Sequence, residues 1–206
     1  FSKHIGFFNY IAQLRFDLLL FCQLMSRVLH NPGYGVVKHV KKAQRYLKGT
    51  MDLPLTFTNK GNCSHLRYSS DASHASAEGY RSTGASLGFL GDNCFWAKSI
   101  KQKQVADSST AAEAIQLHMS GNHAHWAKDF LNEIGHDTDQ VQFDEDNTSA
   151  IQLYTSTQWK PTKWIGIKFY SFIQKIKDAF GYLHYVCSKD LQADHLTKPS
   201  RTVAEF

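Results

Sequence analysis

The chain has 206 residues, 42% of them hydrophobic and 13% aromatic; this suits one ordinary domain with an appendage, or two small ones, and is too apolar for a disordered chain. Its longest apolar run, Leu18 to Cys22, falls far short of a membrane span, and its net charge of +5 agrees with a polyanionic partner without requiring one. Four cysteines, Cys22, Cys63, Cys94 and Cys187, stand far apart with no C-x-x-C pair, which is the usage of a reducing cytosolic or nuclear setting. Phe1 is not an initiator methionine, and we expect a fragment, a processed product or a piece of a larger polyprotein.

Residues 4 to 29 read as helix. Ile5, Phe8, Ile11 and Ala12 share a face, and Leu18, Cys22, Met25 and Leu29 continue it at helical spacing. Asn31-Pro32-Gly33-Tyr34-Gly35 breaks the pattern. A further helix is expected from about Tyr34 to Lys48, with the stripe Val36, Val40, Ala43 and Leu47 opposite Lys38, Lys41, Arg45 and Lys48, and with Gly49 as its stop. That basic face reads either as a phosphate-backbone contact or, as is commoner, as a solvated face.

From Leu53 the texture changes. Leu53 to Thr58 alternates like a strand and leads to a turn at Asn59-Lys60-Gly61-Asn62. The run from His65 ends at Asp71, Thr83 to Leu90 is strand-like, Gly91-Asp92-Asn93 is a tight turn, and another strand begins at Cys94. One long helix is predicted over Ser109–Leu131, opened by Ser108-Ser109-Thr110, stopped by Gly135 and buried along Ala112, Ile115, Met119, Trp126 and Phe130. The three hydroxyls are better helix-capping groups than nucleophiles. Val141 to Phe143 is a strand, Thr148 to Tyr154 a helix, Thr162 to Ile176 a helix, Tyr182 to Val186 a strand, and Asp194 opens a last short helix. Antiparallel strands followed by strands alternating with helices imply an α/β domain, a mixed sheet covered by helices.

Four acids stand where these elements begin or end: Asp71, Glu113, Asp146 and Asp194. Carboxylates gathered from several strand and helix ends repel one another unless cations sit between them, the arrangement a two-metal phosphodiester hydrolase requires; any one of them alone reads as a surface acid. Asp144 and Glu145 crowd Asp146 and are able to shift its pKa or compete for metal. His118, His123 and His125 form the densest histidine group, but no pair is four apart and no cysteine lies near, so zinc is disfavoured. Lys98, Lys101 and Lys103 are expected to cluster between strand and helix, as a backbone contact or as a solvated loop.

The ordered motifs resemble the ribonuclease H region of copia-type LTR-retrotransposon polyproteins, over nearly the whole chain. They are Ile11 to Leu18, Ala43-Gln44-Arg45-Tyr46-Leu47-Lys48-Gly49-Thr50, Tyr68-Ser69-Ser70-Asp71-Ala72, Arg81-Ser82-Thr83-Gly84, Val105 to Ala114, Asp146 to Ile151, and Ala193-Asp194-His195-Leu196-Thr197-Lys198-Pro199. The resemblance implies a ribonuclease H-like mixed five-stranded sheet flanked by helices in residues 51–206, preceded by a helical remnant of the reverse transcriptase thumb or connection in residues 1–50. It implies cleavage of the RNA strand of RNA·DNA hybrids with two Mg²⁺ ions, Mn²⁺ being able to substitute. Asp71 would bridge both ions, Glu113 and Asp146 would serve one and Asp194 the other. The hybrid would be read by backbone and 2′-OH, with Lys38, Lys41, Arg45, Lys48, Arg81, Lys98, Lys101 and Lys103 as nucleic-acid-binding residues. The reverse transcriptase part of the same polyprotein is the second expected partner, no membrane is involved, and the expected location is a cytoplasmic virus-like particle or the nucleus. The chain departs from the family at Thr162-Lys163-Trp164-Ile165-Gly166, where the family has Thr-Lys-His-Ile-Asp. That departure keeps open a catalytically degenerate module that binds nucleic acid or serves as structure. A strand-transfer enzyme is disfavoured, because such enzymes place the essential glutamate last.

Overall fold

The computed structural model describes residues 1–59, 62–155 and 163–198; the side chains of residues 155, 163–165 and 167–169 lie outside the description as well. Lys60 and Gly61 of the expected turn, Thr162 and the side chains of Lys163 to Ile165 in the departing motif, and Pro199 therefore fall outside it. The chain forms two compact units, Phe1–Phe57 and Thr58–Phe206.

The first unit is helical: α1 Ser2–Ile11, a 3-10 turn Phe16–Leu18, α2 Leu19–Ser26 and α3 Val36–Gly49. The continuous helix expected over residues 4 to 29 is broken. Arg15 forks onto Asp17 at 3.0 and 2.7 Å and also donates to the backbone and side chain of Thr50, while the Tyr46 hydroxyl donates to Asp17 at 2.8 Å. This polar knot holds the chain in a turn and lets α1 and α2 share one core of Ile5, Phe8, Ala12, Leu18 and Cys22 with Val40 and Ala43 of α3. The α3 cations Lys38, Lys41, Lys42, Arg45 and Lys48 are all exposed.

The second unit is built on five strands: β1 Leu66–Ala77, β2 Arg81–Leu90, β3 Asn93–Lys101, β4 Val141–Glu145 and β5 Gly181–Tyr185, in the order β3-β2-β1-β4-β5. β1, β2 and β3 form an antiparallel meander, while β4 runs parallel to β1 and β5 parallel to β4. This is the mixed sheet expected from the sequence. Leu53 to Thr58, however, is not a strand: Leu53 and Phe57 are exposed, and the Thr58 backbone is held by the side chain of Asn93. Asp71 does not end its strand either. β1 continues to Ala77, with Asp71 opposite Ala85 and Ser73 opposite Thr83, because the small residues beyond Asp71 still find partners on β2.

Helices α4 Ser109–Glu133, α5 Thr148–Thr155 and α6 Lys163–Lys177 cover the sheet, and a 3-10 turn, Gln192–Leu196, follows β5. The core joins Leu66, Tyr68, Val141 and Phe143 of the sheet to Ala114, Leu117, Ala124 and Ala127 of α4, Tyr154 of α5 and Phe172 of α6. The expected stripe of α4 is only half right. Ala112 and Ile115 are buried, but Trp126 and Phe130 are exposed and stack on each other with ring centres 5.8 Å apart. The buried face is the one with small residues, because the neighbours come close: a Cβ on Gly121 would lie 2.7 Å from the Phe172 ring.

Candidate metal centre

Asp71 is carried by the central strand β1, on the face shared with Ser69. The 3-10 turn packs on that face: the Ala193 backbone donates to Ser69 Oγ at 3.3 Å, and Thr197 Oγ1 donates to Asp71 Oδ2. Glu113 is presented from the start of α4. Ser108 Oγ accepts from the Ala111 N–H and caps the helix, and buried Gln102 donates to the Ala112 carbonyl at 2.9 Å, tying that turn to the end of β3. Asp146 follows the last residue of β4. One ligand oxygen from each of Asp71, Glu113 and Asp146 lies within 4.8 Å of the others. Among the described residues no other group of three His, Cys, Asp or Glu side chains converges in this way.

Burial governs the electrostatics. Asp71 and Glu113 are 3% and 5% exposed. Burial pushes the Asp71 carboxyl up, and Asp194 and Asp146 add to this, while the Thr197 hydroxyl and Lys198 oppose it. Burial, then the neighbouring charges of Glu145 and Asp71, raise Glu113 well above the ordinary carboxylate range. Glu145, fully buried, is pushed up to about 8, again chiefly by burial. The converging Asp71, Glu113 and Asp146 offer hard oxygen donors, and burial makes the charged form of the first two costly without a counter-ion, which fits a divalent cation such as Mg²⁺ or Mn²⁺. Of the converging carboxylates, Glu113 has its Oε2 buried without a hydrogen-bond partner, which agrees with the same conclusion.

The acids that crowd Asp146 in the sequence separate in space. Strand alternation turns Asp144 to the opposite face from Phe143 and Glu145. There Asp144 pairs with Arg67 at 2.7 Å and with His184 at 3.1 Å, and Gln142 donates to it at 2.7 Å. Glu145 points the same way as Phe143, towards Glu113. Asp194, in the 3-10 turn, lies outside the converging trio; it is bound by Lys198 Nζ, yet its charge still reaches Asp71. Thr197 and Lys198 are site residues to which the sequence reading gave no role, whereas Glu145, expected to crowd Asp146, instead lies buried beside Glu113. Alternation from buried Phe143 was the available signal for Glu145; nothing in the spacing distinguishes Thr197.

The basic residues disperse. Arg81, Lys98 and Lys103 are exposed and Lys101 half-buried. Lys98 and Lys101 lie three apart in β3 and so emerge on opposite faces: Lys98 is opposite Ser86, whose hydroxyl meets Ser120 of α4, and Lys101 is on the face of Asp71. They do not form one cluster. Lys38, Lys41, Arg45 and Lys48 belong to the first unit. The three histidines of α4 take separate partners. His123 stacks on Trp96 at 3.7 Å and meets the Tyr68 hydroxyl at 2.8 Å, with burial lowering its pKa to about 4. His125 pairs with Asp129, and His118 meets Asn122.

No family model matches the chain. The chain is 30% identical over 97% of its length to the retrovirus-related Pol polyprotein from transposon RE2 of Arabidopsis thaliana, and 32% identical over 96% to that from transposon TNT 1-94 of Nicotiana tabacum. It spans 14% and 15% of those polyproteins. Among solved structures, the foamy viral protease-reverse transcriptase in complex with an RNA/DNA hybrid superimposes with a TM-score of 0.54 at 9% identity, over 98% of this chain and 26% of that one.

Proposed function

We propose, from the likeness to retrovirus-related Pol polyproteins of transposons, that the second unit, ribonuclease H-like in fold, is a metal-dependent nuclease for the RNA strand of RNA·DNA hybrids. The observation that carries the proposal is the convergence of Asp71, Glu113 and Asp146 within 4.8 Å. Asp71, Glu113 and Asp146 would hold one ion, and Asp71 with Asp194 a second. Such ions supply an activated water for in-line attack and charge stabilisation for the leaving oxygen.

The protein's own residues set the geometry. Buried Asp71 forms the floor, with one oxygen bound by Thr197 Oγ1 and the other left for a cation. Capping at Ser108 and the Gln102 bond fix the turn that carries Glu113. Lys101, on the Asp71 face, and the exposed Arg81 and Lys103 would meet phosphates, with exposed Lys98 and, in the first unit, Lys38, Lys41, Arg45 and Lys48 as further candidates. The foamy viral relative in fold is in complex with an RNA/DNA hybrid, which supports the same substrate class here. The nuclease would act beside the reverse transcriptase part of its polyprotein, in a virus-like particle or the nucleus.

A labelled RNA·DNA hybrid incubated with the full chain and Mg²⁺ tests this, beside Asp71→Asn and Glu113→Gln. Cleavage by the wild type, lost in both variants and in EDTA, is the expected result. Wild type no faster than Asp71→Asn would overturn it and leave a nucleic-acid-binding or structural module.

A further inference from the structure

The fourth carboxylate already has a cation of its own. Lys198 Nζ is bonded to Asp194 Oδ1, one helical turn away. Thr197, 4% exposed, fixes the backbone just ahead of it: its hydroxyl is bonded to Asp71 Oδ2 and lies 3.1 Å from the Asp194 carbonyl. The Lys198 N–H itself donates to the same carbonyl at 3.1 Å. The Lys198 side chain is therefore rooted beside the acidic centre, and its head group sits on the Asp194 side of Asp71. Among the described residues, Asp71, Glu113 and Asp146 form no ion pair, and Glu113 Oε2 is buried without a hydrogen-bond partner.

We infer that Lys198 is a tethered counter-cation that competes with the second divalent ion for Asp194, so that the centre takes its first ion freely and its second only as Lys198 withdraws. Side-chain pairs of this exposure, 54% for Lys198 and 30% for Asp194, are weak and exchangeable, as a displaceable gate requires. A substrate phosphate offers the ammonium another anion. Arrival of the nucleic acid would thus free Asp194 as the second ion is needed, coupling ion uptake to substrate.

The inference rests on the metal-centre reading, and titration with Mn²⁺ alone separates the two. Binding to the full chain is followed by calorimetry and by the loss of free-ion electron paramagnetic resonance signal, for wild type, Lys198→Gln and Lys198→Arg. Wild type should bind one ion tightly and a second weakly. Lys198→Gln should tighten the second by about tenfold, the scale of one positive charge acting on a divalent ion in a solvated site, and the first several-fold less. Lys198→Arg should behave as wild type. A second-site affinity unchanged in Lys198→Gln, or equal tightening at both sites, would overturn the inference and leave the metal centre standing. No ion bound by any of the three proteins would overturn both.

Discussion

Replacing Glu145 by glutamine should stabilise the metal-free protein at pH 8 and leave it nearly unchanged at pH 4. Burial raises this carboxyl from 4.5 to about 8 in the folded chain. Below pH 4.5 it is neutral in both the folded and unfolded states and costs nothing. Between 4.5 and about 8 the unfolded chain ionises it and the folded chain does not, so stability falls by about 1.4 kcal/mol for each pH unit gained. Across the window that amounts to about 5 kcal/mol at most; water reaching the carboxyl, and the share carried by Glu113, reduce the expected gain from glutamine to about 2 kcal/mol at pH 8. The amide has the right shape: its oxygen can keep accepting from the Asn147 N–H, as Glu145 Oε1 does at 3.2 Å, and its NH₂ replaces the unpartnered Oε2. In EDTA, thermal unfolding followed by circular dichroism should show the variant melting about 4–8 °C above wild type at pH 8, with the two curves meeting near pH 4. Parallel pH profiles, or a variant less stable than wild type at pH 8, would refute the assignment of the buried charge.

Two further substitutions test the packing that supports the site. Arg67→Met strands Asp144, whose side chain is 4% exposed, with only its neutral and half-exposed partners; urea denaturation should show a loss of about 2–4 kcal/mol, largely recovered when Asp144→Asn is added. Recovery failing in the double variant would mean that Arg67 acts through its contact with the Phe89 ring. Gly181→Ala puts a methyl group 2.4 Å from the Val141 carbonyl oxygen and 2.8 Å from the Phe143 ring, neither of which can swing aside. A loss of about 1–3 kcal/mol, with faster amide exchange along β5, is expected by hydrogen exchange.

The helices and strands of the second unit were largely legible in the sequence because their ends carry chemistry: Ser108 caps α4, and Gly135, at φ +80°, ends it. The face that α4 buries was not legible. Large residues at helical spacing, Trp126 and Phe130, mark the side that faces water, and the sheet and α6 press instead on alanines and Gly121, where only small side chains admit them. A pattern of hydrophobic size reports what could be buried, not how near the neighbour comes. Leu53 to Thr58 failed for the opposite reason: it alternates well but has no strand to pair with. At the site, Asp71, Glu113 and Asp146, picked out by their contexts, do converge, whereas Asp194 stands outside the trio. The opposite destinies of Asp144 and Glu145 depend on a one-residue alternation fixed by Phe143. The bond from Thr197 to Asp71 joins the two ends of the unit, and no local pattern announces it.

Asp71 stands near the beginning of the second unit, and Asp194 and the Thr197 hydroxyl near its end. A nascent chain leaving the ribosome makes β1 to β3 and α4 early, but β4 lacks its outer neighbour until β5 has emerged, and the bond on Asp71 waits for Thr197. Closing that distance is an entropic step taken last. Partial translation products, or chains clipped ahead of the 3-10 turn, would therefore bring Asp71, Glu113 and Asp146 together without Asp194 or the Thr197 hydroxyl.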